Sequence, residues 1–584
     1  MQKNPYIING LAVGIIFLFI GTCIIPVMAQ TVEKPSVVSN GHILYVGGSG
    51  PGNYTKIQDA INDSHDGDTV FVYDDVSPYH EFLSINTSIS LIGEEKNTTI
   101  INADNESKIV IQVTADGVTI SGFTVVNYGR EAILIESNNT HISDIILGPR
   151  SGWSGNGIRL FHSHDSLIEE NDISHTFNAI EIIDSDRSII RRNHLTSSYL
   201  YGIWLSNAAE NTIIDNIVDT GDPVGLPGSY NGIRLWDCTN NTVSGNLIVS
   251  RDIECRVGLE LWDSRDNLVK ENTFETCGFF WYGSYENILE NNTVNNNPLV
   301  FLIGKPHSTI DHAGQVILIQ CDDSIVRDVE ITNVPKAIEI LNSDNCIVTN
   351  TTSRNNDYGI YFESSKNIQV TKNKIFTTQI GISAEQGSQN ASITENVIQE
   401  SLYMGIYSNA ASTTIEKNTL TGNSVGILTG GLFSLKIIIQ SNRITDNWDG
   451  ITLYSPLTTV RNNSIAGNVN GIHISGAYRN MIISNNITGN ECGVNITYEP
   501  GSLRSIGNWI LKNNFLGNTR HAFFDSAVRT HWIRNYWQGD LLSPARIDGM
   551  KSYYKLDVWG GVVWQKHIPW VNFDWFSSQK PYDI

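Results

Sequence analysis

The sequence predicts an all-β protein folded as a single parallel β-solenoid, and three observations predict it. Segments starting at Gly157, Ala179, Gly202, Gly232, Gly258 and Gly278 align without a gap: a small residue leads, apolar residues stand second, fourth, twelfth and seventeenth, and Asn stands fifteenth. Within each segment apolar positions alternate over four or five residues, the period of a strand with one buried face, and no stretch between them is long and periodic enough for a crossover helix. The leaders are spaced by 22, 23, 30, 26 and 20 residues, so all variation in length falls after the last apolar position. Short strands that return to the same phase on every turn bury their apolar faces only by stacking coil on coil. The 584 residues therefore belong mostly to one solenoid rather than to several domains.

Taken in chain order, residues 1–29 read as a secretory signal, with Lys3, an apolar run, and Val27-Met28-Ala29 before the cut. The run from Leu11 to Val27 is close to the length that spans a bilayer, so an uncleaved signal is the one circumstance that puts the chain in a membrane. Residues 30–150 hold an N-terminal cap and the opening coils. Tyr54 to Asn62, apolar at 54, 57, 60 and 61, reads as a short amphipathic helix laid over the first coil's open edge. Residues 151–525 are the repeats. They degrade around 297–336 and resume at Ala337, Gly359 and Gly381, while Asn373, Asn418, Asn463 and Asn485 continue a ladder begun by Asn171, Asn193, Asn216, Asn246, Asn272 and Asn292. The ladder Asn would bond to its neighbours and supply the left-handed turn backbone. At ~4.8 Å per coil, about 18 or 19 coils give a rod on the order of 90 Å. Residues 526–584 break the repeat and hold Trp532, Trp537, Trp559, Trp564, Trp570 and Trp575, a hydrophobic cap or a tail docking to a cell-envelope partner.

A formal charge of -22, from 60 acidic and 38 basic residues, excludes a surface built to neutralise nucleic-acid phosphates. Asn-x-Ser/Thr triplets recur from Asn53 to Asn495, as expected of an exported glycoprotein and also of any Asn-rich, Thr-rich chain. The seven Cys show no CxxC pair; Cys255 and Cys277 stand close to consecutive leaders, where an inter-coil disulfide or buried thiols are equally expected. Secretion or display at the cell surface follows from the signal.

The segment from Tyr54 to Asp63, the run from Asp66 to Glu95, and the Gly-Ile and Asn-x-Ile coils resemble the NosD-type, pectate-lyase-like β-helix repeat proteins, and the end from Asn535 to Ile584 resembles the tail of secreted archaeal surface proteins built on such repeats. The resemblance covers nearly the whole chain from about residue 42. It implies a right-handed parallel β-helix with three sheets per coil. For function it is open, since related solenoids include lyases, hydrolases, epimerases and proteins without known catalysis.

In the aligned coils the third and fifth positions face out. The third are Arg159, Glu181, Trp204, Arg234, Glu260 and Phe280; the fifth include Trp236, Trp262 and Tyr282, followed at the sixth by Asp237, Asp263 and Gly283. Stacked at the coil rise, Trp204, Trp236, Trp262, Tyr282 and Arg159 would bind a polysaccharide or envelope glycoconjugate, apolar sugar faces on the rings and hydroxyls on the charged groups. The loop 221–229 would cover this strip or wall a groove. The alternative is an enzyme on the same face. A glycoside hydrolase would use Asp237 and Asp263, one coil apart, with Glu260; a polysaccharide lyase would use Arg234, Arg256 or Arg159 as base, with a cation on the Asp side chains. Charge balancing on a solvated sheet accounts for the same residues. The second alternative is a structural or copper-related envelope protein. No cofactor is specified; calcium is the cation that carboxylates would take, and copper is disfavoured because His162 with His164, and His307 with His312, form no convincing donor set.

Overall fold

The computed structural model describes residues 41–584 apart from 105–107, 149–154, 197, 221–230, 252–255, 284–285, 432–433, 499–503, 540–543 and 557–561. The signal segment, the loop 221–229, Cys255 and Trp559 lie outside the described residues.

Alternating apolar positions give what they predict. Along most of the short strands residues alternate between buried and solvent-facing, as in Ile158–Phe161 and Thr212–Ile214, and these strands pair in parallel with the next coil. About 21 turns result, more than the 18 or 19 expected. Part of the difference lies in the stretch 297–336, where Asn297–Ile303, Gln315–Ile319, Ile325–Arg327 and Glu330–Thr332 are strands despite the lost repeat. Gln315–Ile319 is buried throughout, so its alternation is invisible in sequence. The helix Ile57–Asp63 buries Ile57, Ala60 and Ile61 over the first coils, and its first two N–H groups donate to the Glu81 carboxylate at 2.9 and 3.0 Å. Among the described residues no helix is long and apolar enough to cross a membrane.

The coils form two stacks. In the first, one face is a nine-stranded parallel sheet running from Leu83–Ile85 to Gly278–Tyr282; in the second, faces of 11 and 10 strands continue towards the C-terminus. Asparagine holds the turns. From Asn373 through Asn396, Asn418, Asn442, Asn463, Asn485 and Asn513 to Asn535, each residue donates its backbone N–H and its side-chain Nδ2 to Oδ1 of the next, at 2.9–3.0 Å. Asn171 to Asn292 do the same in the first stack. A parallel ladder passes through Asn211, Asn241, Asn267 and Asn287, unnoticed in sequence although each occupies the tenth position.

The ladder Asn does not itself take the left-handed backbone. The residue before it does: Asp215, Glu271 and Asn291 have φ of 55°, 57° and 54°. Such a conformation costs about 1–2 kcal/mol for a residue with a Cβ. The bonds of the following Asn hold it, which is why that position accepts Arg, Lys, Glu or Ser. Sequon residues such as Asn240, Asn350, Asn390 and Asn462 are exposed, whereas the ladder residues are buried.

At the C-terminal end the strands Ala545–Leu556 and Val562–Asp574 form an antiparallel hairpin whose first strand joins the last coil. Asp574 is fully buried and closes the ladder: its carboxylate accepts from Asn535 N and Nδ2 at 2.8 and 3.0 Å, from Arg534 N at 3.0 Å and from Trp537 Nε1 at 3.2 Å. Trp532 and Trp537 are buried, while Trp570 and Trp575 are exposed. Replacing Asp574 by Ala leaves four desolvated donors unpaired, at a cost of about 3 kcal/mol. Hydrogen exchange will then accelerate in coils 508–537 and stay unchanged in coils 157–294; uniform acceleration would refute a local cap.

Candidate functional site

The register across consecutive coils aligns the outward residues as expected. Arg159, Glu181, Trp204, Arg234, Glu260 and Phe280 are successive partners, and so are Ser206, Trp236, Trp262 and Tyr282. The two rows behave differently.

The charged side chains of the third-position row are ion-paired within the fold, while Trp204 Nε1 is buried without a hydrogen-bond partner among the described residues. Arg159 lies between two buried carboxylates, 3.2 Å from Glu131 and 3.1 Å from Glu181. Burial pushes the Glu181 acid upward against the pull of Arg159. Arg234 Nε is 3.4 Å from the buried Glu260 carboxylate, its Nη1 donates to the Tyr201 hydroxyl, and its guanidinium carbon stands 5.3, 5.0 and 5.6 Å from the ring centroids of Tyr201, Trp236 and Trp262. Trp204 is half-buried, with its ring 5.7 Å from Tyr201. Glu260 and Arg234 are thus part of the sheet's own charge balance, and Arg234 props the aromatic rings from beneath.

The fifth-position row faces solvent. Trp236 is 44% exposed, Tyr282 is 56% exposed, and Trp262 is half-buried between them. The rings of Trp262 and Tyr282 overlap at 4.6 Å and 33°. Asp237 and Asp263 follow at the coil corner with φ of 53° and 47°, in a column that includes Asp184 and Asn207. They are turn formers first, and no contact holds them as a carboxylate pair.

The strip ends at a seam that the sequence did not announce. After Tyr282 that sheet ends; the backbone passes to the second stack through the antiparallel pair of Thr293–Val294 with Asn297–Ile303, and side chains tie Gly278–Tyr282 to it. Gln315, fully buried, accepts from Phe279 N at 2.9 Å and donates to Phe279 O at 2.7 Å, replacing a strand's two backbone bonds. Trp281 Nε1 donates to Glu339 Oε2 at 3.2 Å, and Glu339 Oε1 is paired with Lys336 Nζ. Arg256 meets Asp357 at 2.6 Å and donates to Asn355 O at 2.6 Å, so this Arg is a tie across the seam and not a base on the strip.

Where the two faces meet they leave a cleft of about 440 Å³, into which Tyr282, Asp263 and Gly283 project from one side and Glu339, Tyr361 and Glu363 from the other. Tyr361 donates to Glu363 at 2.7 Å. The signal that would have found this cleft is the outward pair Tyr361 and Glu363 in the coil after the degraded stretch. It is legible only once Gly278–Tyr282 is known to end a sheet.

His162, expected to share a face with His164 in an extended segment, has a φ of 51°, so the chain turns between them. His164 Nδ1 accepts from Asp186 N at 3.1 Å. His307 is a turn residue with a φ of 59°. Cys277 is buried, its expected partner lying outside the described residues.

The family described as periplasmic copper-binding protein (NosD) matches residues 61–255, 224–313, 307–432 and 407–543. A cell surface glycoprotein of Methanothermus fervidus is 31% identical over 261 residues, which cover 42% of this chain and 42% of that protein. The match thus spans less than half of the relative's length. Among solved structures, DFA-IIIase from Arthrobacter chlorophenolicus A6 in complex with DFA-III is similar at 12% identity and a TM-score of 0.34, over 61% of this chain and 94% of that one. The periplasmic alginate epimerase AlgG is similar at 13% identity and a TM-score of 0.29, over 60% and 77%.

Proposed function

The chain belongs to the NosD family, and from that premise we propose that it is a surface-displayed β-solenoid that binds glycan chains along Trp236, Trp262 and Tyr282. The observation that carries this reading is the register of those rings, one per coil, with Trp236 and Tyr282 exposed and Trp262 half-buried between them, leading into the seam cleft. Coil spacing is ~4.8 Å, comparable to one hexopyranose unit, so the strip runs in step with a glycan chain laid along the coils. Rigid aromatic platforms bind apolar sugar faces with little entropy lost, and Arg234, held by Glu260 and Tyr201, fixes their orientation. The name of the M. fervidus relative agrees with a location outside the cytoplasm.

Binding is favoured over turnover on the strip. A hydrolase needs two carboxyl groups free to exchange protons with substrate, but Glu260 is committed to Arg234, and Asp237 and Asp263 occupy turn corners. A lyase base is equally unsupported, because Arg159, Arg234 and Arg256 are each paired with carboxylates.

The family description also names copper. Copper takes clustered His, Met or thiolate donors, and among the described residues no group of three or more His, Cys, Asp or Glu is placed to hold a metal. The thiols are poor donors: burial raises Cys238 to about 12 and Cys346 to about 11. The described residues do not fit a copper centre.

Two outcomes follow. Trp236→Ala combined with Trp262→Ala will lower glycan affinity at least ~10-fold on a glycan array without lowering the melting temperature by more than a few degrees; full binding by the double variant sinks the reading. Iodoacetamide at pH 8 will leave Cys238 and Cys346 unmodified in the native protein and alkylate both after denaturation, as read by peptide mass mapping.

A further inference from the structure

Three carboxylates line the seam cleft, those of Asp263, Glu339 and Glu363, against one basic side chain, Lys336. The charge of Lys336 is already committed. Its ammonium pairs with Glu339 and lies 4.2 Å from the Tyr361 ring centroid and 5.3 Å from that of Phe280. Removing this closed pair from the count leaves Asp263 and Glu363, neither ion-paired with a described residue. One coil further on, burial pushes the Glu385 acid upward; the Glu363 carboxylate adds to this, while the Ser383 hydroxyl and Lys336 oppose it.

Gly283 makes room for the Asp263 carboxylate. The sixth position carries a side chain in five successive coils, from His162 to Asp263, but is Gly283 at the cleft. Gly283 has a φ of 96°, and a Cβ there would stand 2.2 Å from Asp263 Oδ1. The exposed Tyr282 ring is adjacent, so a sugar stacked on it has its edge at these carboxylates.

Resting on the glycan-binding reading, we infer that the seam cleft selects a cationic sugar, a hexosamine with a free amino group, whose ammonium is held by Asp263 and Glu363. A uronic acid entering the same space meets two like charges and a Lys that is already paired. An N-acetylated hexosamine keeps the ring face but loses the charge, and with it the charge-assisted hydrogen bonds.

The test uses the full chain and calorimetric titration with three oligosaccharides of equal length: β-1,4-glucosamine, its N-acetylated form, and a galacturonate. The free amine should bind roughly 10-fold tighter than the N-acetylated form, and the uronate weakest. A chain of formal charge -22 attracts any polycation, so the decisive comparison is with Glu363→Gln and Asp263→Asn, which preserve hydrogen bonding and the turn. Each should abolish most of the amine preference, lowering affinity for the free amine much more than affinity for the N-acetylated form. Persistence of the preference in both variants assigns it to diffuse charge and overturns the inference. Equal wild-type affinity for the amine and N-acetylated forms overturns it while glycan binding stands. Failure of all three sugars to bind overturns both.

Discussion

The asparagine ladder is the interaction on which the rest depends. Each rung gives two hydrogen bonds forward, to one side-chain oxygen, and its Nδ2 also reaches a backbone carbonyl of the preceding coil, as Asn418 does to Ile393 at 2.9 Å. A buried turn would otherwise leave polar backbone groups unpaired, at a cost comparable to the hydrogen bonds lost. With the turns satisfied from within, the coil interior is filled mainly with Ile, Val and Leu. The strands can then be as short as three residues, because stacking and ladder together supply the cooperativity that a three-residue strand lacks.

The rung-to-rung bonds are also directional, since each Asn donates to Oδ1 of the next rung towards the C-terminus. A one-way series needs a terminal acceptor that is not another amide, and the Asp574 carboxylate fills that role. At the seam the same need is met differently: Gln315 supplies a donor and an acceptor from one side chain and completes the edge of Gly278–Tyr282. The site is a by-product of that repair. The cleft lies beside Gly278–Tyr282, where a side chain takes the place of a neighbouring strand.

Much of this was legible in sequence because periodicity reports burial directly. The strands, the helix at Ile57–Asp63, the main ladder and the alignment of Trp236, Trp262 and Tyr282 all follow from fixed positions in a repeat. What escaped were features defined by departures from it. Gln315–Ile319 has no polar alternation because it is covered on both sides, so its coil went uncounted. The commitment of Arg234 to Glu260, and of Arg256 to Asp357, depends on side chains that meet across coils or 101 residues apart, and nothing in the local pattern encodes them. The cleft residues Lys336, Glu339 and Glu363 read as ordinary strand positions until the end of the preceding sheet is located.

The uniformity of the rungs bears on how such a chain changes over evolutionary time. Because every turn offers what the next accepts, a whole coil inserted or lost between Asn396 and Asn513 rejoins the series with no new chemistry. The separation between the cleft and the hairpin bearing Trp570 and Trp575 is therefore a quantity that gene duplication adjusts in steps of one coil, independently of either end. Reach becomes a heritable variable, set by copy number and not by the redesign of any side chain.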